Sequence, residues 1–336
     1  MTETVHNTDK KNLSAKEIVF ILSAMVLFAV LEYGVIQQTE KVKFLFLISG
    51  FVYFLKLYLY YGTAYLAFHK KTLPLAVGAV IVYTTAFLIP GDDTVWILIA
   101  DWSAILLGSV IMGRYLVKEA NYERVYIAGL LAVLLCAIAM YAPHWEMLIN
   151  SFNSNTVDIL SSLRTSLPAA GYSTDEAATM MDSITNGMAL TAYIIPALTL
   201  LSSVMQYSIG FLIFLYILIR KRELIKPIAS FKMWKMPYYV TGIIIVGALL
   251  HFLGNEIVVK TGDNLLVFLS VFYALTGLSL FEYFLSKIKL HWSMKLGMYL
   301  LLFFTAHIGY IAFVLLGFVD SFKDFRKIEL LSLQSK

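Results

Sequence analysis

Long apolar runs separated by short charged loops dominate this chain. Runs of spanning length fall at about 18–36, 44–68, 73–90, 94–113, 126–142, 190–219, 238–254, 264–285 and 296–318. A helix needs roughly 20 apolar residues to cross the hydrocarbon core, where only helices and closed barrels satisfy their own backbone. The pattern predicts an all-α polytopic transmembrane helical bundle of about nine spans, or eight if one segment is re-entrant or merged. The shortest run, 126–142, needs a thin or untilted crossing. The longest, 190–219, contains Pro196 and is expected to kink.

The periodicity changes between the fifth and sixth runs. In 143–189 the apolar positions are Trp145, Leu148, Ile149 and Phe152, then Ile159, Leu160, Leu163 and Leu167, the spacing of an amphipathic helix. LPAAGY is a break. Ser173 and Glu176 then form a capping box that opens a second helix with Ala177, Met180, Met181 and Ile184 on one face. The division is a polar cytoplasmic arm (1–17), an N-terminal five-span bundle (18–142), an extracytoplasmic amphipathic helical hairpin (143–189), a C-terminal four-span bundle (190–318) and a polar tail (319–336). The hairpin has two readings: a cover packed over the bundle at the outer interface, or a lid or partner-docking surface.

Composition agrees. Of 336 residues 60% are hydrophobic and 14% charged, with a mean hydropathy of +0.77; soluble domains carry roughly 25% charged residues. The arm ahead of the first run is polar, so no cleavable signal peptide is expected. One cysteine, Cys136, allows no intrachain disulfide. The net charge of +4 gives no reason to invoke nucleic acid.

The charges set the orientation instead. The arm and the loops 69–72, 114–125, 220–237 and 286–295 hold 17 of the 26 Lys and Arg, and the opposite set holds 8. Positive charge favours the inside, so the N-terminus is placed in the cytoplasm. An odd number of spans then puts the tail outside, although it carries four of those eight cations. An eight-span count brings it inside.

Ionisable residues within the runs are Glu32, Lys56, Asp101, Glu282, His251 and His307. A charge at mid-membrane costs several kcal/mol or more, so each needs a partner, water or a place near the headgroups. Glu282 and Arg114 lie one turn from the inner end and snorkel; Glu32 and His251 lie near the outer end. Lys56 is at the centre of its run. Ser49, Tyr53, Lys56, Tyr60 and Thr63 share one helical face, which the protein rather than lipid must meet. Asp101 is the best partner for Lys56, then Glu32. Such a pair is either a structural clamp or one wall of a polar cavity in which a solute replaces part of the pairing. Tyr53 and Tyr60 either line that cavity or pack between helices. His307 is read first as a hydrogen-bonded core histidine and second as part of the site. No HExxH, cysteine pair, GxSxG or P-loop occurs, so nothing calls for a metal or other cofactor and an enzyme is the weakest reading. Asp92 and Asp93 follow Pro90 and Gly91 as a turn.

The second half carries a recognisable set of short motifs. A helix with Pro196, Ala197 and Leu198 leads into a basic loop, followed by Phe231, Trp234 and Pro237 as F-x-x-W-x-x-P. Asn264 and Gly277 come next, then Leu316-Gly-Phe-Val-Asp320 and Asp324-Phe-Arg326-Lys. Over about 40% of its length the chain resembles the YybS-like family of bacterial multi-pass membrane proteins. That resemblance implies the bacterial cytoplasmic (inner) membrane. Through a distant similarity to substrate-binding subunits of energy-coupling-factor transporters, it also implies a capture unit in the N-terminal spans. It brings no site residues with it.

Two functions stay open. One is a substrate-binding or transport subunit for a small, anionic solute, with Lys56, Tyr53, Tyr60, Asp101 and His307 as its site. The other is a structural or assembly subunit of a larger membrane complex, with other membrane subunits as partners. They differ in one feature: capture needs a solvent-connected cavity at Lys56, whereas a structural subunit has Lys56 paired and dry.

Overall fold

A computed structural model describes residues 13–37, 45–88, 95–118, 122–223, 230–253, 255–288, 291–304, 306–323 and 325–326. Among them there is no strand. The helices are α1 (Ala15–Gln37), α2 (Leu45–Phe68), α3 (Thr72–Leu88), α4 (Val95–Lys118), α5 (Tyr122–Tyr141), α6 (Trp145–Ala169), α7 (Thr174–Tyr193), α8 (Ile195–Arg220), α9 (Val240–Phe252), α10 (Glu256–Lys287), α11 (Trp292–Phe304) and α12 (Ala306–Phe322). Four stretches among the described residues are long and apolar enough to cross a membrane: Leu98–Leu116, Tyr122–Ala169, Ile195–Arg220 and Glu256–Lys287. The chain divides into two compact units, one of residues 1–148 with 199–228, the other of 149–198 with 229–336.

The first unit packs α1 to α5 and α8 around Trp102, Tyr60, Tyr207, Phe28 and Phe214, all buried. Lipid offers no hydrophobic force between helices, so close approach comes from small residues. A Cβ on Gly113 would lie 2.3 Å from the Ala64 carbonyl oxygen, and one on Gly210 would lie 2.5 Å from Tyr60 Cβ. Hydroxyls bridge the helices as well: Ser109 donates to the Tyr60 carbonyl at 3.1 Å and Tyr207 to the Tyr126 carbonyl at 3.2 Å.

One end of this unit is tied by charge. Ser14 caps α1, its backbone N–H donating to Glu17 at 3.0 Å, and that bond holds the Glu17 carboxyl below its ordinary range. Lys221, just past α8, donates to Glu17 at 3.1 Å and to the Tyr65 hydroxyl at 2.8 Å. Tyr65 donates to Glu223 at 3.0 Å, and His69 stands 3.2 Å from the other Glu223 oxygen. Burial holds His69 below the usual imidazole value, against the pull of Glu223. The turns that deliver these groups pass through left-handed residues, Lys70 at φ 57° and Arg222 at φ 60°.

In the second unit the break after Ala169 and the Ser173–Glu176 capping box both appear, with Gly171 at φ +90° in the turn. The helix entering the hairpin does not start afresh at 143. α5 and α6 form one run of 48 residues, bent only through a 3₁₀ turn at Ala142–His144. No residue of α6 is buried, and in α7 only Ala192 is. The apolar positions of the hairpin are half-buried at best. The break between α7 and α8 at Pro196 frees backbone groups, and Asn264 of α10 answers them. Its Oδ1 accepts from Ala197 N at 3.0 Å and its Nδ2 donates to the Tyr193 carbonyl at 3.1 Å.

The run at 296–318, expected as one span, is described on either side of residue 305, as α11 and α12, and α12 lies along α10. Ser270 and Tyr310 share a hydrogen bond of 2.5 Å. Gly317 lies against the Tyr273 carbonyl, and Gly277 against that of Phe313. Arg326 donates to Ser279 Oγ at 2.7 Å. Arg326 also donates to the Lys232 carbonyl at 2.9 Å and pairs with Asp320, which sets both beside the 231–234 segment. Arg326 and Asp320 side chains are 0% exposed. The run at 238–254 is shorter than expected: α9 has 13 residues, about 20 Å of helix.

Gly317→Ala tests the α10–α12 contact, because its Cβ would fall 2.0 Å from the Tyr273 carbonyl oxygen. Overpacking of this kind costs about 1–3 kcal/mol. Thermal unfolding in detergent should show that loss, whereas Gly297→Ala, which meets nothing within 4 Å, should hold or raise stability.

Candidate functional site

Lys56 stands in the middle of α2 because a helix of aromatic and aliphatic residues carries it there. α4 brings Asp101 opposite. The ammonium lies 2.5 Å from Asp101 Oδ2, with the two side chains 11% and 14% exposed. The second oxygen, Oδ1, accepts a hydrogen bond from the Tyr141 hydroxyl at the end of α5. Three helices thus meet on one carboxylate. The ring of Phe28 closes the cation from α1, its centroid 6.0 Å from the Lys56 ammonium.

The other sequence-predicted residues divide. Tyr60 is buried, its ring edge-on to Tyr207 at 6.0 Å and its Cβ under Gly210. It is therefore a packing residue. Tyr53 is half-buried and sits edge-on to Phe54, which is 70% exposed. Thr63 turns its hydroxyl back to the Leu59 carbonyl at 2.5 Å. The side chains of His307, Glu32 and Ser49 lie outside the described residues. Elsewhere, Glu282 is held by Tyr299 and stands 3.7 Å from Lys295, rather than snorkelling alone. His251 shares a 2.5 Å hydrogen bond with Asp263, which also accepts from Tyr193 at 2.6 Å.

Tyr141 is the member the sequence reading missed. It ends the fifth run, where a tyrosine reads as an interfacial residue. A helical side chain leans towards its own N-terminus, which carries this hydroxyl inward to the depth of Asp101. That lean, together with the position of Asp101 two turns inside the outer end, was the available signal.

The arrangement is a charge-neutral clamp. Lys56 donates and both oxygens of Asp101 accept. The two described surface clefts, lined by residues between Ala15 and Tyr65 of α1 and α2, do not include Lys56. No group of three His, Cys, Asp or Glu among the described residues is arranged to hold a metal.

A family model described as a predicted membrane protein, DUF2232, covers residues 92–321. No curated protein and no solved structure matches the chain.

A mutant cycle measures the clamp. Removing one partner of a buried ion pair costs about 3–5 kcal/mol, while replacing both by apolar groups is often neutral. Lys56→Met and Asp101→Leu should each lower unfolding stability in detergent by that order, and the double variant should recover most of the loss.

Proposed function

The chain belongs to the DUF2232 family of predicted membrane proteins, and from that premise we propose that it is a structural or assembly subunit of a larger membrane complex. The observation that carries this reading is the closed state of Lys56. It is paired directly with Asp101, the carboxylate is shared with Tyr141, and both charged side chains are largely buried. Such a group fixes how α2, α4 and α5 pack. The α6–α7 hairpin supports the same reading: a capped, amphipathic helix pair with almost nothing buried is a surface in want of a partner.

The capture reading remains the second. The resemblance to YybS-like proteins, and through them to substrate-binding subunits of energy-coupling-factor transporters, favours it. It requires α2 and α4 to part and admit a solute to Lys56, where Gly113 now packs against the Ala64 backbone.

For topology we propose a bacterial inner-membrane protein with both ends in the cytoplasm, which implies an even number of crossings rather than nine. The Arg326 contacts support this, since they hold Asp320 and Arg326 beside Lys232, in the most basic loop of the chain.

Two measurements test these readings. Purification at native expression level in gentle detergent should yield a stoichiometric set of membrane proteins, weakened by Leu163→Glu in the hairpin. Co-migration of an ATPase pair with a coupling protein would establish capture instead. The double variant Lys56→Met/Asp101→Leu should retain that complex; a folded double variant that loses host function with the complex intact would point to a ligand site. For topology, Lys323→Cys in a Cys136→Ala background should react with an impermeant maleimide only after permeabilisation. Labelling in intact cells would put the tail outside.

A further inference from the structure

The start of α1 carries two shallow clefts that meet on the same two residues. One, of about 310 Å³, is lined by Lys16, Glu17, Phe20, Ile21, Tyr58, Tyr61 and Tyr65. The other, of about 370 Å³, is lined by Ala15, Lys16, Val19, Phe20 and Ser23. Lys16 and Phe20 form the ridge between them, and most of both walls is apolar or aromatic. We propose that this surface is a binding site for an anionic phospholipid of the cytoplasmic leaflet, the phosphate on Lys16 and one acyl chain on each side of Phe20.

Three observations carry the assignment. The first is depth. α1 enters the bilayer from its N-terminal end under the orientation set by the loop charges, so Lys16 falls at the headgroups and Val19 to Ser23 fall at the top of the hydrocarbon. The second is charge. Lys16 is exposed and makes no ion pair among the described residues, whereas its neighbours are committed: Glu17 to Ser14 and Lys221, and Lys221 to Glu17 and Tyr65. A cation left over beside a satisfied network attracts an anion from outside it. The third is shape. Phe20 is 64% exposed yet fixed edge-on against Tyr58 at 5.6 Å, so it stands as a firm wedge. The paired clefts fit a ligand with one anionic head and two apolar tails, which a free phosphate or a single-chain detergent does not match.

The test uses full-length protein in mixed micelles titrated with phosphatidylglycerol, with phosphatidylcholine and inorganic phosphate as comparison arms. Thermal stability and retained lipid by native mass spectrometry are the readouts. Phosphatidylglycerol should raise the melting temperature and be retained, while the other two should do neither. A juxtamembrane cation is worth about a fivefold change in affinity for anionic lipid. Lys16→Ala should therefore weaken the phosphatidylglycerol effect roughly fivefold, Lys16→Arg should preserve it, and Phe20→Ala should reduce retention. Lys71→Ala removes an equal charge elsewhere on the predicted inner side and should leave the effect intact. The proposal fails if Lys16→Ala folds and binds as wild type, if Lys71→Ala weakens binding as much, or if inorganic phosphate reproduces the effect.

Discussion

Within a bilayer a polar group has no water to fall back on, and this chain is organised around answering each such group with another of its own. Lys56 is the clearest instance. Without Asp101 it would be a bare charge in the middle of an apolar helix, and without Tyr141 one oxygen of Asp101 would lose a donor. The trio fixes the relative rotation of α2, α4 and α5 in a way that aliphatic side chains cannot, because a slipped helix would leave a charge unpaired. A buried pair is weak support for stability in itself, and its value here lies in the packing it rejects.

The same rule accounts for the second unit. At Pro196 the helix is broken and the backbone groups of Tyr193 and Ala197 lose their helical partners. One amide side chain, Asn264, supplies both a donor and an acceptor. At the other end of α10, Ser279 donates to the carbonyls of Phe231 and Trp234, while Arg326 takes Ser279, Asp320 and the Lys232 carbonyl. Gly277 and Gly317 let α10 and α12 approach near enough for these bonds to form. The residues that carry the family resemblance are thus joints of the fold. They specify how the chain turns and where its end is fastened, and name no chemistry.

That division explains what was legible beforehand. Helix positions, the break before Gly171 and the capping box at Ser173 follow from local pattern, which acts over a few residues. The Lys56–Asp101 pairing followed from depth alone, since each charge needed the other. Contact between distant segments is a different kind of information. The contacts that set α12 against α10 and fasten Arg326, to Gly277, Ser279 and Lys232, come from segments 36 to 94 residues away. Tyr141 was hidden for a smaller reason: its position at a helix end suggested the interface, and only the lean of its side chain brings it inward.

The contrast between interior and surface is what favours a role in assembly. Lys56, Asp101 and Tyr141 of the first unit are paired with one another, and a solute would reach Lys56 only by replacing its bond to Asp101. The hairpin is the reverse case. Its half-buried positions in α6 recur at Ile149, Phe152, Thr156, Leu160, Leu163 and Leu167, and in α7 at Ala177, Met181, Ile184 and Met188. Those are spacings of three and four, the seam of a helix that packs against another. Five acidic residues and one arginine surround these seams, so the segment is amphipathic without the cationic face that holds a helix on an anionic membrane. Those two features, an unfilled seam and an acidic surround, are what the proposed assembly role rests on.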